Sequence, residues 1–277
     1  MKIDGWRYYN HAAIPTTNPD EEPNLAPIKD GTIWKIDGGR PLFARWTADW
    51  DCGYETEWWY CIKDTPFDIS SLKSKRRYEI NKGNNNFDVE EVNAVEYAER
   101  FYEISNDAYE TYPTSYKPHI ENKSFVANVR KWNDYKDYGA FSKEDGKIYG
   151  WARLGKVGQY IDFTTLKVCP QVERLGINAA IIYKILKDHE IFLKSGGYIC
   201  DGARPILHKT AFQDYLEKYF DFRKAYCKLH VIYKPFIKRM ICMAYPFRRL
   251  ISKLDRINVF YKLNSLLNME EIKRTFE

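Results

Sequence analysis

The decapeptide Gln171-Val-Glu-Arg-Leu-Gly176-Ile-Asn178-Ala-Ala180 stands where a strand-like run, 157–168, gives way to an apolar helical run, 175–186. A helix N-terminus fed by a strand gathers unpaired backbone N–H groups and a partial positive charge, so it can receive a phosphate-bearing ligand. Asp162 lies in the middle of that strand. A buried strand carboxylate is uncommon without a partner or a task, and one facing a cleft can take a proton from an amine or hydroxyl. Alternation can equally turn it to solvent. Asp201 and Arg204 follow a second short strand, 198–201, either at the mouth of a cleft or in a plain Asp-Gly turn. Lys73, Lys75, Arg76 and Arg77 cluster on one helix, as a solvated face or as a contact for phosphates. His11, His119, His189 and His230 share no ligand spacing, so no metal site is expected.

Several elements must position these groups. Residues 87–92 read as a strand, and 95–109 and 120–134 as helices. Residues 138–142 and 148–154 flank Glu144-Asp145-Gly146 as a hairpin. A helix over 210–219 follows the strand at 198–201, and 222–225 with 228–233 close the sheet. Upstream, Pro15, Pro19, Pro23 and Pro27 make 11–31 a loop or extended arm. Two β-rich runs around Gly38-Gly39 predict a hairpin over 32–46, and 58–62 a third strand. A basic helix over 70–83 ends at Gly83 as its C-cap. This gives a β-rich extension over 1–69, a main domain over 70–235 and a helical tail over 236–277.

From 87 to 233 the order strand, two helices, three antiparallel strands, helix, strand, helix, strand resembles the fold of the GNAT acyltransferases, over a little more than half of the chain. Leu72-Lys-Ser-Lys-Arg-Arg77-Tyr-Glu-Ile80-Asn-Lys82-Gly83, ahead of Phe87-Asp-Val, resembles the helix-to-strand entry of the Fem-type aminoacyltransferases, which build on the same fold. The resemblance implies an α+β protein with a mixed, mostly antiparallel central sheet flanked by helices. It also implies transfer of an acyl group from acetyl-CoA or another acyl-CoA to an amine or hydroxyl of a small acceptor, for example a sugar of a surface glycan.

In those terms residues 171–180 resemble the coenzyme A pyrophosphate loop. Gly176 matches it, with Arg174, Asn178 and Ala179 beside it and Leu166 and Val168 on the central strand offering backbone groups to the cofactor. His208 stands where family members place an Asn at the start of the last helix. Asp162 would be the general base, Tyr215 the general acid for the departing thiolate, and Asp201 and Arg204 would meet the acceptor. On residue type alone, Tyr215 is equally a half-buried packing residue. Two positions depart from the family: Glu173 replaces a Gln or Arg, and Asn178 replaces a small residue. A carboxylate there repels a pyrophosphate. Fem-type members manage without this loop because their donor is an aminoacyl-tRNA, which makes tRNA the one nucleic acid expected as a partner. A catalytically silent, membrane-associated GNAT-fold binding protein is the third expectation.

With 44% hydrophobic residues over 277 positions the chain can bury a full core. Its six cysteines form no CxxC pair and no regular spacing, so reduced thiols of a cytoplasmic protein are expected. The start Met-Lys-Ile-Asp-Gly-Trp has no apolar signal region, and no run is long enough for a membrane span. The net charge of +5 is concentrated: residues 234–267 hold eight Lys/Arg and one acid, Asp255, leaving the rest slightly acidic. That excludes a body that grips nucleic acid throughout. In this tail Phe247, Leu250, Ile251, Leu254, Ile257, Tyr261 and Leu263 make an apolar stripe, with Arg248, Arg249, Lys253, Arg256 and Lys262 mostly off it. Such a helix either packs on the body or lies on an anionic membrane surface as a peripheral anchor. Trp34, Trp46, Trp50, Trp58 and Trp59 are expected to stabilise a small β-subdomain, with a stacking floor for a sugar as the alternative.

Overall fold

The computed structural model describes residues 1–112, 117–132, 135–207 and 211–276, and the chain forms two compact units. One comprises Met1–Tyr60, Ala203–Thr210 and Lys224–Glu277; the other comprises Cys61–Gly202 and Ala211–Arg223. The chain begins with β1 (Trp6–Tyr9), β2 (Ala12–Pro15), α1 (Ala26–Lys29), β3 (Phe43–Ala48) and β4 (Trp58–Lys63). Then come α2 (Ser74–Asn86), β5 (Phe87–Val92), α3 (Ala98–Glu110), α4 (Asn122–Val129), β6 (Tyr135–Ser142) and β7 (Ile148–Val157). β8 (Tyr160–Val168), α5 (Ile177–Asp188), α6 (Glu190–Lys194), β9 (Tyr198–Ala203) and α7 (Ala211–Phe220) follow. β10 (Arg223–Tyr233) leads into α8 (Pro235–Ala244), α9 (Arg248–Ile251) and α10 (Asn258–Arg274).

In the second unit β5, β6, β7 and β8 pair antiparallel in that order, and β9 joins β8 in parallel. Glycines at positive φ make the two tight reversals, Gly146 (+68°) between β6 and β7 and Gly158 (+59°) between β7 and β8. One face of β7 carries Trp151, on which Phe101 of α3 stacks at 4.6 Å, while Ser105 accepts a hydrogen bond from the Trp151 indole at 3.2 Å. Ile104 and Val129 are fully buried in the same cluster. The opposite face belongs to α5. A Cβ on Gly150 would meet Ile177 and Val168 at 2.9 Å, so the missing side chain lets the helix sit close to β7. Ile177, Ile181, Ile182 and Ile185 are buried along this helix, each contributing about 2 kcal/mol of apolar burial. Helices on both faces of a mostly antiparallel sheet give the α+β, GNAT-like fold that the element order implies.

In the first unit β1 and β2 form a hairpin whose two turn residues, Asn10 and His11, both have positive φ (44° and 64°). β2 pairs with β3 in parallel, and β3 with β10 antiparallel. Phe43, Cys227, Leu229, Val231 and Tyr233 form one core with Ile241, Ile251, Leu267 and Ile272 of the tail helices.

Four local expectations need correction. Residues 32–46 are not a hairpin: Thr32–Lys35 form a 3-10 turn, because Asp30 accepts from both the backbone N–H (2.9 Å) and the hydroxyl (2.6 Å) of Thr32. The arm over 11–31 begins with strand β2 and contains α1. Residues 222–233 are not two strands, since no turn-forming residue interrupts Arg223–Tyr233. Gly83 is no C-cap. It lies inside α2 and is buried.

Candidate active site

Strand pairing sets the site. β8 and β9 are registered at three positions, Tyr160↔Tyr198, Ile161↔Ile199 and Asp162↔Cys200. β8 nevertheless runs on to Val168, with β7 as its partner over that stretch. The two parallel strands therefore part company at Asp162, and the next residues of β8 turn an edge without a registered partner toward the opening. A bulge adds to this. The register with β7 skips Thr164, whose hydroxyl donates to the Arg153 carbonyl at 3.2 Å.

Asp162 holds the last paired position. Period-two alternation puts Tyr160 on its face, and the Tyr160 hydroxyl donates to the Asp162 carboxylate. Burial, then the neighbouring Cys200 and Asp162 charges, holds Tyr160 well above the usual phenol range, so it stays protonated as a donor. Its ring lies 5.4 Å from that of Tyr198.

Asp201, one residue past the register partner of Asp162, turns toward α7, where the Gln213 amide donates to it. Burial pushes the Asp201 carboxyl up to about 7, the Gln213 hydrogen bond opposes the rise, and the Asp162 charge adds to it. A carboxyl at that value holds or releases a proton near neutrality. Tyr215 lies on α7 between aromatic neighbours, 4.8 Å from the Tyr219 ring and 5.8 Å from the Phe220 ring. Burial first, then the carboxylates of Glu79 and the loop's Glu173 together with Tyr219, pushes its hydroxyl above the usual range.

The loop packs against a helix. Gly176, at φ +85°, is where the 3-10 turn Pro170–Leu175 hands over to α5. Its outer side is covered by α2. A Cβ on Gly83 would lie 2.3 Å from the Gly176 carbonyl oxygen and 3.0 Å from the Ala180 nitrogen, so backbone rests on backbone there. Asn86 of α2 donates to the Leu175 carbonyl at 3.2 Å. Asn178 donates to Glu173 at 3.2 Å, which ties the two residues that depart from the family pattern to each other.

The predicted site residues thus fall into groups. Asp162 and Asp201 lie on opposite faces of the sheet where β8 and β9 part, with Tyr215 on the helix that carries Gln213. Gly176 and Ala179 are buried, Val168 packs beneath Gly150, Leu166 is half-buried, and Arg174 is exposed. Arg204 lies in the other unit, where it pairs with Glu57 and its backbone N–H donates to the Trp59 carbonyl at 2.8 Å. His208 lies outside the described residues. Tyr160, Gln213 and Glu79 were not singled out from sequence. Alternation could have found Tyr160, two residues before Asp162, and a Gln on the buried side of an apolar helix could have flagged Gln213. Glu79 has no local signal. Among the described residues no group of three or more His, Cys, Asp or Glu side chains could hold a metal ion. None of the described helices is long and apolar enough to cross a membrane.

No family model matches the sequence, and no curated protein matches it. Solved structures do match in fold. FemX superposes with a TM-score of 0.52 at 8% identity, covering 79% of this chain and 81% of its own. L-PGS from Bacillus licheniformis gives 0.51 at 12% identity, over 90% and 85% of the two chains. The C-terminal domain of a putative lysylphosphatidylglycerol synthetase from Agrobacterium fabrum gives 0.50 at 11%, over 86% and 82%. The chain therefore shares its fold with FemX and these proteins.

Proposed function

We propose that this protein is a Fem-like transferase that moves an aminoacyl group from aminoacyl-tRNA to an amine or hydroxyl acceptor. The observation that carries this reading is the seat of Gly83 on Gly176, which packs helix α2 against the loop that resembles a coenzyme A pyrophosphate site. The carboxylates of Glu79 and Glu173 near Tyr215 point the same way. They repel a polyphosphate and suit the protonated α-amine that an aminoacyl ester carries. The fold shared with FemX and with the lysylphosphatidylglycerol synthetase domain supports the choice.

In this mechanism the acceptor's nitrogen or oxygen attacks the ester carbonyl while Asp162 takes its proton. The bond from the acyl carbon to the ribose oxygen breaks, and that oxygen takes a proton. Asp201, poised near neutrality, supplies it, and the Tyr215 hydroxyl, held protonated, donates a hydrogen bond to the departing oxygen. Backbone N–H groups of β8 beyond Asp162 orient the carbonyl. Lys73 and Lys75, exposed at the start of α2, are available to phosphates of the tRNA.

A second reading, acyl transfer from an acyl-CoA, is favoured by one observation, the parting of β8 and β9 at Asp162, which offers a strand edge to a pantetheine arm. The test offers both donors to the full-length protein: a labelled aminoacyl-tRNA pool and acetyl-CoA, each with amino-sugar and amine acceptors. The first reading expects acceptor-dependent deacylation of tRNA and no consumption of acetyl-CoA. The reverse pattern sinks it.

A further inference from the structure

The tail helices carry two apolar rows, and the core accounts for one of them. Ile241 and Ile251 are buried in the first unit's core, with Ile237 and Ala244 packed against it. A second row lies open. Phe236, Met240, Met243, Phe247, Leu250 and Leu254 recur at intervals of four and three residues, and their exposures run from 42% to 69%. A surface helix usually spends such a row on a core. Here the neighbouring row already does that, and six large apolar side chains in register exceed the scattered exposure expected of a soluble surface.

Charge identifies the occupant. Between 235 and 262 there are seven Lys/Arg and one acid, Asp255, which accepts a hydrogen bond from Asn264. Lys238, Arg239, Arg249 and Lys253 are exposed. At 100° per residue they fall on the flank of the open row that lies away from the packed row. A helical surface with Phe, Met and Leu in a stripe, cations along its outer border and almost no acid matches the interface of an anionic bilayer. Another protein would need a complementary acidic rim around an apolar groove.

We propose that the open row of residues 236–254 is a membrane-docking face that lies in the surface of an anionic bilayer while the packed row holds the tail to its own unit. The inference stands whichever donor the transferase uses.

The test is co-sedimentation of the full-length protein with vesicles of phosphatidylglycerol and phosphatidylcholine, against vesicles of phosphatidylcholine alone. Binding is expected to the anionic vesicles only, and to weaken with salt. Each cation removed, as in Arg249→Gln or Lys253→Gln, should weaken it about five-fold. The double variant Phe247→Ser/Leu250→Ser should lose it, with an unchanged melting temperature because both side chains are exposed. Absence of sedimentation with anionic vesicles overturns the proposal, as does full binding by the double variant. A wild-type dimer that the double variant converts to a monomer, with no vesicle binding, would assign the row to self-association instead.

Discussion

The two ends of β8 are built in opposite ways. At Asp162 the strand loses its parallel partner, and polar groups gather at the gap: Asp162 and Tyr160 on one face, Asp201 and Gln213 on the other. After Val168 the chain enters a loop whose glycine is pressed against a glycine of another helix, with Asn86 and Asn178 binding its carbonyl and carboxylate groups. One end gathers buried polar groups, and the other packs backbone on backbone. The sequence departures at Glu173 and Asn178 belong to the packed end.

The largest expected effect strikes the open end. Asp162→Asn should lower kcat by about a hundred-fold or more if its carboxylate takes the acceptor's proton, with substrate KM little changed; steady-state kinetics with the active donor measures it. An unchanged kcat would leave the gap without its base. The packed end should respond in stability. Gly83→Ala forces a methyl to 2.3 Å from the Gly176 oxygen, and should cost roughly 2–4 kcal/mol in chemical denaturation. A neutral result would mean that α2 is not seated on the loop.

Asp201 should show the smaller, pH-dependent effect. Its folded carboxyl is raised to about 7 from an ordinary value of 3.8, so between those values the native state holds more protons than the unfolded chain. Its contribution to stability is therefore full below about pH 4 and is lost as pH rises through 7. Asp201→Asn should be more stable than the parent at pH 8, by up to roughly 4 kcal/mol, and nearly equal to it at pH 4, read from melting curves at the two pH values. The rate profile of the variant should also lose its limb near pH 7. Smallest of all, Glu173→Gln should leave the response to coenzyme A unchanged, since α2 and not the carboxylate alone closes the loop. Acquisition of coenzyme A binding by that variant would shift the weight from packing to charge.

Much of this comparison was legible in the sequence. The order from β5 to α7 follows from clear period-two and helical patterns, and Phe87–Val92 falls where the alternation places it. Asp162 could be named as a carboxylate inside a strand and Asp201 as the acid at the end of a short one, while Tyr215 came from the family resemblance. The contact of Gly83 with Gly176 could not. A glycine late in a helix reads locally as a cap, and the contact that requires it comes from a segment some ninety residues away in the chain. The hairpin of β1 and β2 was missed for a related reason: its turn uses Asn10-His11 at positive φ, where Asn-Gly is the usual signal. Residues 32–34 are β-branched or aromatic, yet one Asp30 side chain captures them into a turn. The value of Asp201 needs burial by α7, which no local pattern encodes.

The most direct test of the central claim is the melting temperature of the full-length protein with and without 1 mM acetyl-CoA. A site with a dissociation constant near 10 µM would add about 2.7 kcal/mol, a rise of several degrees for a chain of this size. A loop closed by Gly83 predicts a shift below about 1 °C. A rise of several degrees, saturating with acetyl-CoA, would contradict it.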